Sequence, residues 1–319
     1  MNKFESVTKP LMWFTALALA TVAAGCGGGD PILGGGAGGA PSAGPAGIVA
    51  SMLGLAAPFG IASTAGVNNT GATTINGDVV LANPTVSCNG VTAVPGGAGT
   101  AGFGLCAGNP PTLNGTVITP TSPDTTTADN VKADMNTGYL KITPPAGPPA
   151  AGSLGGATNL PAGTTLGATT GSALVLGDNL FFPGVYQSLT SIMVTGDLTL
   201  DAQGNPDAVF VFQSSSTVGT AAGGPTPATR TRILLVNGAK ASNVWWQAGS
   251  AATLGLYSEF QGNILAASDI TMNTGATSCG RLFAGAWAGG SGAFVFDANV
   301  VSVPGQPFAP PAGYSTVCQ

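Results

Sequence analysis

GNILAASDITMNTGATSCGRLFAGA, residues Gly262 to Ala286, alternates short apolar runs with Thr, Asn and Ser, and carries only Asp269 and Arg281 as charges. Ile, Leu and Phe spaced among small polar residues suit a half-buried pleated surface. Asn273-Thr274-Gly275 supplies a turn, because Gly takes positive φ cheaply and Asn tolerates it. The stretch therefore predicts strand, tight turn, strand, which is one rung of a stacked β architecture. Its wording recurs near the start of the chain, where Asn69-Thr-Gly-Ala-Thr-Thr-Ile-Asn-Gly-Asp78 is close to Asn273-Thr-Gly-Ala-Thr-Ser-Cys-Gly-Arg281.

The rest of the 319 residues fits that reading: 51 Gly, 24 Pro, 44% hydrophobic and only 7% charged residues, against about 25% charged in an average globular domain. Runs such as Ala208-Val-Phe-Val-Phe-Gln213 and Arg232-Ile-Leu-Leu-Val-Asn237 require burial, so most of the chain folds. A net charge of −5 with dispersed basic residues excludes a nucleic-acid partner, which needs a basic stripe. The absence of histidine removes the commonest general base and the commonest zinc ligand.

Residues 1–25 read as an export signal. Lys3 and Lys9 precede the apolar run Leu11 to Ala24, which is too short for a comfortable membrane span. Ala23-Ala24-Gly25-Cys26 resembles a bacterial lipobox, with Ala23 where Leu is usual, so Cys26 is the expected lipidation site. The protein is then expected to be exported and held at the outer membrane or cell surface, or else secreted. Residues 26–50 form a Gly/Ala/Pro-rich tether, and 51–319 the folded domain. In an oxidising compartment the four remaining cysteines are expected to pair, Cys88 with Cys106 in one Gly/Pro-rich segment and Cys279 with Cys318 across the C-terminal tail. They lack Cys-x-x-Cys spacing, so no metal site is expected, and no cofactor motif is present.

Within the domain, residues 84–120 break the strand pattern and are expected to be a loop insertion or cap. One helix is predicted over 128–142, where Val131, Met135, Tyr139 and Ile142 recur at helical spacing before Pro144-Pro145, with Thr126 or Thr127 as its cap and Asp129 in its first turn. After it only short strands and turns follow, which predicts an all-β sandwich, barrel or irregular solenoid. Trp245 and Trp246 are neighbours on one strand and so must face opposite ways.

Phe59-Gly-Ile-Ala62, the two Asn-Thr-Gly-Ala-Thr segments, Ala128-Asp-Asn-Val-Lys-Ala-Asp134, Pro183-Gly-Val-Tyr186, Leu198 to Gln213, Asn243-Val-Trp-Trp-Gln-Ala-Gly-Ser250, Ala252-Thr-Leu-Gly255 and Phe260-Gln-Gly-Asn-Ile-Leu-Ala266 together resemble, in order, the microbial ice-binding protein family of the DUF3494 type. The resemblance spans about Leu55 to Val303. It implies a discontinuous, irregular β-solenoid of triangular cross-section with one long α-helix packed alongside, which adsorbs to ice crystals through one flat Thr/Ser/Ala/Asn-rich face, as a monomer. The family's ice-face motif is Thr, then Ala or Gly, any residue, then Thr or Asn. On it the expected ice contacts are Thr70, Thr73, Thr274 and Thr277, with Thr253 from the Thr-Leu-Gly step. Thr127-Ala128-Asp129-Asn130 fits the same pattern at the helix start. Where the family often has Thr or Gly after the Thr-Leu-Gly step, Leu256-Tyr257-Ser258-Glu259 places a ring and a charge, which would spoil a flat face unless they point elsewhere.

An enzyme is not expected. The carboxylates Asp78, Asp197, Asp201, Asp207, Asp269 and Asp297 stand mostly beside Gly, Asn or Pro, where Asp bonds its own backbone in turns, and Glu259 is the remaining candidate. No Gly-x-Ser-x-Gly elbow is present. The alternative function is a cell-surface adhesin or carbohydrate-binding solenoid module, which would need a groove with exposed aromatics in place of a flat, charge-free rank.

Overall fold

The computed structural model describes residues 43–81, 87–88, 91–92, 94–95, 104–108, 111–118, 125–147, 149–167, 179–308 and 317–319. The lipobox with Cys26, residues 26–42 of the expected tether, and the side chains of Cys88 and Cys106 lie outside them. The end of the tether segment, residues 43–50, rests on the domain, with Ile48 buried in the cluster beneath the helix and the Ala43 carbonyl accepting from the Val209 amide.

Three sheets of short strands form the sides of a triangular prism. The first side stacks Val117–Ile118, Asp78–Leu81, Phe59–Ser63, Leu282–Ala284, Asn263–Ala266, Val244–Ala248, Phe210–Ser214, Gly184–Ser188 and Thr158–Asn159. The second stacks Thr164–Leu166, Ile192–Val194, Val218–Thr220, Ala252–Leu254, Ile270–Met272, Ala293–Phe296, Gly66–Asn69 and Gly104–Gly108, with Val94–Pro95 antiparallel at its edge. The third stacks Leu180–Phe181, Asp197–Asp201, Arg232–Val236, Glu259–Gln261, Thr277–Cys279, Val300–Ser302, Thr74–Asn76 and Thr112–Asn114. The order is discontinuous in sequence. Phe59–Ser63 lies between Leu282–Ala284 and Asp78–Leu81, so the N-terminal coil rests on the last C-terminal one. From the segment expected to be an insertion or cap, Gly104–Gly108, Thr112–Asn114 and Val117–Ile118 supply the end rung of the three sides.

Parallel in-register pairing puts like positions above one another, and the interior is built from such columns. On the first side Tyr186, Phe212, Trp246, Ile264, Leu282, Ile61 and Val79 are successive ladder partners pointing inward. The Phe212 and Trp246 rings stack with centroids 4.2 Å apart. Corners follow the same logic. The hydroxyls of Ser63, Ser188 and Ser214 donate to the carbonyls of Gly66, Ser191 and Thr217, three residues on, where the chain turns from the first side to the second. Gly77, Gly262 and Gly280, with φ of 150°, 115° and 143°, turn it from the third side back to the first.

The helix, Thr125–Ile142, lies along the first side. Val131, Met135, Tyr139 and Ile142 are fully buried in the same cluster as Trp245, Leu265 and Phe283, so Trp245 faces the helix while Trp246 faces the core. The helix starts at Thr125, earlier than the sequence suggests, which puts Thr126 and Thr127 inside its first turn and leaves no acidic residue there. Its C-terminal end is satisfied by Gln213, whose Nε2 donates to the Ile142 carbonyl at 2.9 Å. Gly138, unfavourable for an isolated helix, serves packing: a Cβ there would lie 2.6 Å from Cδ2 of Leu53 in the 3-10 segment Ala50–Ala56.

Candidate functional site

The three sides differ in what covers them. The first is closed by the helix. The third carries charge: Arg232 donates through Nε and a terminal nitrogen to both carboxylate oxygens of Asp197. It is also crossed by the C-terminal tail. Cys279 and Cys318 are bonded with their Cα atoms 5.3 Å apart, Phe308 is buried beside them, and Asn76 and Ser302 both donate to the Pro307 carbonyl. The second side is open among the described residues.

Along this open face the outward positions form one column. Thr165, Met193, Gly219, Thr253, Thr271, Val295 and Asn68 are successive ladder partners over seven coils. At the 4.7–4.9 Å spacing of parallel strands the column runs about 29 Å. Residues on either side of each column member point inward: Ile192 and Val194, Ala252 and Leu254, Ile270 and Met272, Phe294 and Phe296 are all buried. None of the strands on this face contains a charged residue. Asp269 and Asp297 stand at its two edges and serve turns, the first accepting from the Ala293 amide and the second from the Thr274 hydroxyl.

Both edges are held rigidly. At the edge toward the first side, the loop between Leu282–Ala284 and Ala293–Phe296 is longer than its counterparts. The Lys132 ammonium on the helix pins it by donating to the carbonyls of Gly285, Trp287 and Gly290, and Asn136 Oδ1 accepts from the Ala288 amide. Burial pushes the Lys132 ammonium down to about 8. At the other edge Glu259, 4% exposed, pairs with Arg230 at 3.2 Å, and the Arg230 guanidinium lies over the Tyr257 ring. Tyr257 in turn packs on Gly275, where a Cβ would fall 2.5 Å from the ring. The charge at this rung is thus folded under the corner.

A family model described as Ice-binding-like matches residues 61–288, more than two thirds of the chain and all of the C-terminal coils up to this loop. The chain belongs to the ice-binding-like family. It is 36% identical over 225 residues to an ice-binding protein of Nostoc sp. (strain HG1), covering 70% of each chain. Among solved structures it resembles the ice-binding protein of the Antarctic ascomycete Antarctomyces psychrotrophicus, with 30% identity, a TM-score of 0.57 and coverage of 78% of this chain and 96% of that one. The DUF3494 domain of Shewanella frigidimarina ice-binding protein 1, 23% identical with a TM-score of 0.59 over 82% of this chain and 98% of that one, shares the fold.

Of the threonines singled out in this ice-binding-like chain, the four of the Thr-x-x-Thr pattern lie along one corner of the prism, and Thr253 lies apart from them. Thr253 stands exposed in the open column. Thr70 and Thr274 lie where the open face turns into the third side: Thr70 is exposed and Thr274 half-buried. Thr73 and Thr277, 1% and 5% exposed, turn inside this corner. The Thr73 hydroxyl donates to Asn69 Oδ1 at 2.7 Å and accepts from the Asn299 amide, while that of Thr277 donates to the Ser258 carbonyl. The two Thr-Gly-Ala-Thr segments therefore share one edge, separated by the coil through Asp297, and do not tile a face. The pattern at Thr127–Asn130 lies within the helix.

The column residues Thr165, Met193, Gly219, Thr271, Val295 and Asn68 were not singled out by the motif. The signal that finds Met193, Gly219 and Thr271 is different: a small corner residue, three linkers, then apolar-X followed by an apolar residue or Thr, as in Ser188-Leu-Thr-Ser-Ile-Met-Val194, Ser214-Ser-Ser-Thr-Val-Gly-Thr220 and Ala266-Ala-Ser-Asp-Ile-Thr-Met272. The middle residue X faces out.

Proposed function

We propose that this protein adsorbs to ice through the open face, with Thr253 and Thr271 at its centre, Thr165 at one end and Thr70 at its rim. The observation that carries this reading is the seven-rung column in parallel register without a charged side chain. Such a column presents side chains at a fixed spacing. A threonine hydroxyl anchors one water while its methyl excludes the next, and β-branching holds χ1 stiff, so little rotamer entropy is lost when water orders against it. Small residues at the edges keep the surface level. Lack of charge avoids strong ionic hydration that would compete with an ice-like layer. The aromatics of these strands, Phe294 and Phe296, are turned inward, which does not suit a sugar-stacking platform.

Membership of the ice-binding-like family and the ice-binding proteins among its relatives support the same reading. The physiological outcome we infer is inhibition of ice growth or recrystallisation, by a monomer tethered through a lipid on Cys26. Mass spectrometry of the mature N-terminus tests the anchor, and a chain starting at any residue other than Cys26 removes it.

Thermal hysteresis and crystal shaping test the face. Thr271→Tyr raises a ring from the middle of the column and should abolish both. Thr112→Tyr, exposed on the third side, should leave them unchanged. The reverse pattern would move the ice site to the third side.

A further inference from the structure

One member of the open column is chemically unlike the rest. Met193 is 40% exposed, and its ladder partners are Thr165 on one side and Gly219 on the other. A Cβ built on Gly219 would lie 3.4 Å from Met193 Cε and 3.6 Å from Sδ, so the thioether lies across the glycine rung and fills its notch. Met193 thereby levels the step between Thr165 and Thr253, a use suited to an unbranched, polarizable side chain. The other methionines of the described residues are sheltered: Met135 and Met272 are 0% and 1% exposed, and Met52 is half-buried against the helix cluster. Trp245 and Trp246 are fully buried, and Cys279 and Cys318 are already a disulfide.

From this placement we propose that Met193 is an oxidation site whose conversion to the sulfoxide switches off the open face. The inference rests on that face being the one that meets ice. The reaction needs only a peroxide. The sulfur lone pair attacks one oxygen of hydrogen peroxide and the O–O bond breaks. That oxygen remains on sulfur as the sulfoxide, and the other leaves as water with both protons. Sulfur loses two electrons and the peroxide gains them. The product replaces a flexible apolar group by a polar, chiral one. Gly219 and the buried neighbours Ile192, Val194 and Val218 offer the new S=O no side-chain donor, and the outward hydroxyls on the flanking rungs are those of the face itself, Thr165 and Thr253. The oxygen therefore either takes a hydroxyl away from the water-facing rank or turns to solvent and organises water about a strong acceptor within the column, and each outcome disrupts the face. The change reaches two consecutive rungs, because the side chain lies across Gly219 as well as its own.

The test treats the folded, purified protein with limiting hydrogen peroxide, locates added oxygen by peptide mass, and reads thermal hysteresis on the same samples. The Met193 peptide should gain one oxygen before those of Met52, Met135 and Met272, with a several-fold loss of hysteresis and an unchanged circular dichroism spectrum. Met193→Leu should hold its hysteresis through the same treatment, and Met193→Gln should lower it without any peroxide. Oxidation of Met193 no faster than that of the sheltered methionines overturns the proposal, as does full hysteresis after its oxidation. If Thr271→Tyr abolishes hysteresis while oxidised Met193 does not, the face stands and the switch falls. If Thr253→Tyr and Thr271→Tyr both leave hysteresis intact, or the untreated protein shows none, both readings fall together.

Discussion

The Glu259 carboxylate and the Arg230 guanidinium lie 3.2 Å apart, 4% and 6% exposed, beneath the corner that borders the open face. Removing one partner of a buried pair leaves the other charge uncompensated. Glu259→Gln should therefore destabilise the protein by about 3–5 kcal/mol. The joint replacement Arg230→Met with Glu259→Leu should recover most of that loss, since well-packed apolar residues often replace a buried pair at little cost. Urea unfolding of the three variants measures both. Hysteresis per folded molecule should not change, because the pair lies beneath the corner and outside the open column.

Gly280 is fixed by two independent constraints. Its φ of 143° is one that L side chains rarely adopt, and a Cβ would lie 1.9 Å from the Gly262 carbonyl oxygen on the neighbouring coil. Backbone atoms cannot yield as a side chain can. Gly280→Ala should cost about 3 kcal/mol or more, far above the typical surface substitution. Gly204→Ala, where φ is 86° but nothing lies within 4 Å of the added carbon, bears only the conformational strain and should cost clearly less. Equal losses in thermal melts would show that the coil contact is irrelevant.

The Cys279–Cys318 bond closes a loop of 39 residues in sequence separation and fastens the tail across the third side. Loop-closure entropy for such a length amounts to about 3–4 kcal/mol. Cys318→Ser should lower stability by about that much, and proteolysis of the native protein should then begin in the tail. Resistance equal to that of the parent would show that Phe308 and the Pro307 hydrogen bonds hold the tail unaided.

Burial pushes the Tyr139 and Tyr186 phenols up to about 12 from their ordinary 10. Between those values the folded state keeps protons that the unfolded chain has lost, so the two tyrosines add nothing to the pH dependence below pH 10 and erode stability above it. Each contributes a fall of about 1.4 kcal/mol per pH unit. Tyr139→Phe should make the decline between pH 10 and 12 shallower by one such contribution. At neutral pH it should cost about 1 kcal/mol, for the hydrogen bonds to the Ala248 carbonyl and from Gln247. An unaltered alkaline slope would mean that Tyr139 titrates normally in the folded protein.

Much of the architecture could be read from local chemistry. Val131, Met135, Tyr139 and Ile142 mark the buried stripe of the helix, and the Trp245-Trp246 pair splits between helix and core as alternation demands. The triangular solenoid and its discontinuous order came from the ordered resemblance, since periodicity alone left sandwich and barrel open. The candidate site was less legible. Thr70–Thr73 and Thr274–Thr277 are conspicuous because turns concentrate Thr, Gly and Asn, yet turns form the corners of a prism and hide half of what they carry. The outward column is inconspicuous because it offers one residue per coil and tolerates Met193, Gly219 and Val295 beside its threonines. Only the register between coils, set by hydrogen bonds between residues distant in sequence, lines these positions up.

That register also has a temporal side. Phe59–Ser63 is among the first segments of the domain to be made, but its neighbour Leu282–Ala284 is among the last. During synthesis the early coil therefore waits with one edge unpaired for a strand more than two hundred residues away. Contacts of such separation slow folding and leave strand edges open to wrong partners. The C-terminal coils from Thr158 onward can stack as they emerge, so they supply the template on which the N-terminal coil finally docks. Loss of the last coil should then strand the first one, and truncation before Leu282 should release protein that aggregates through its N-terminal strands.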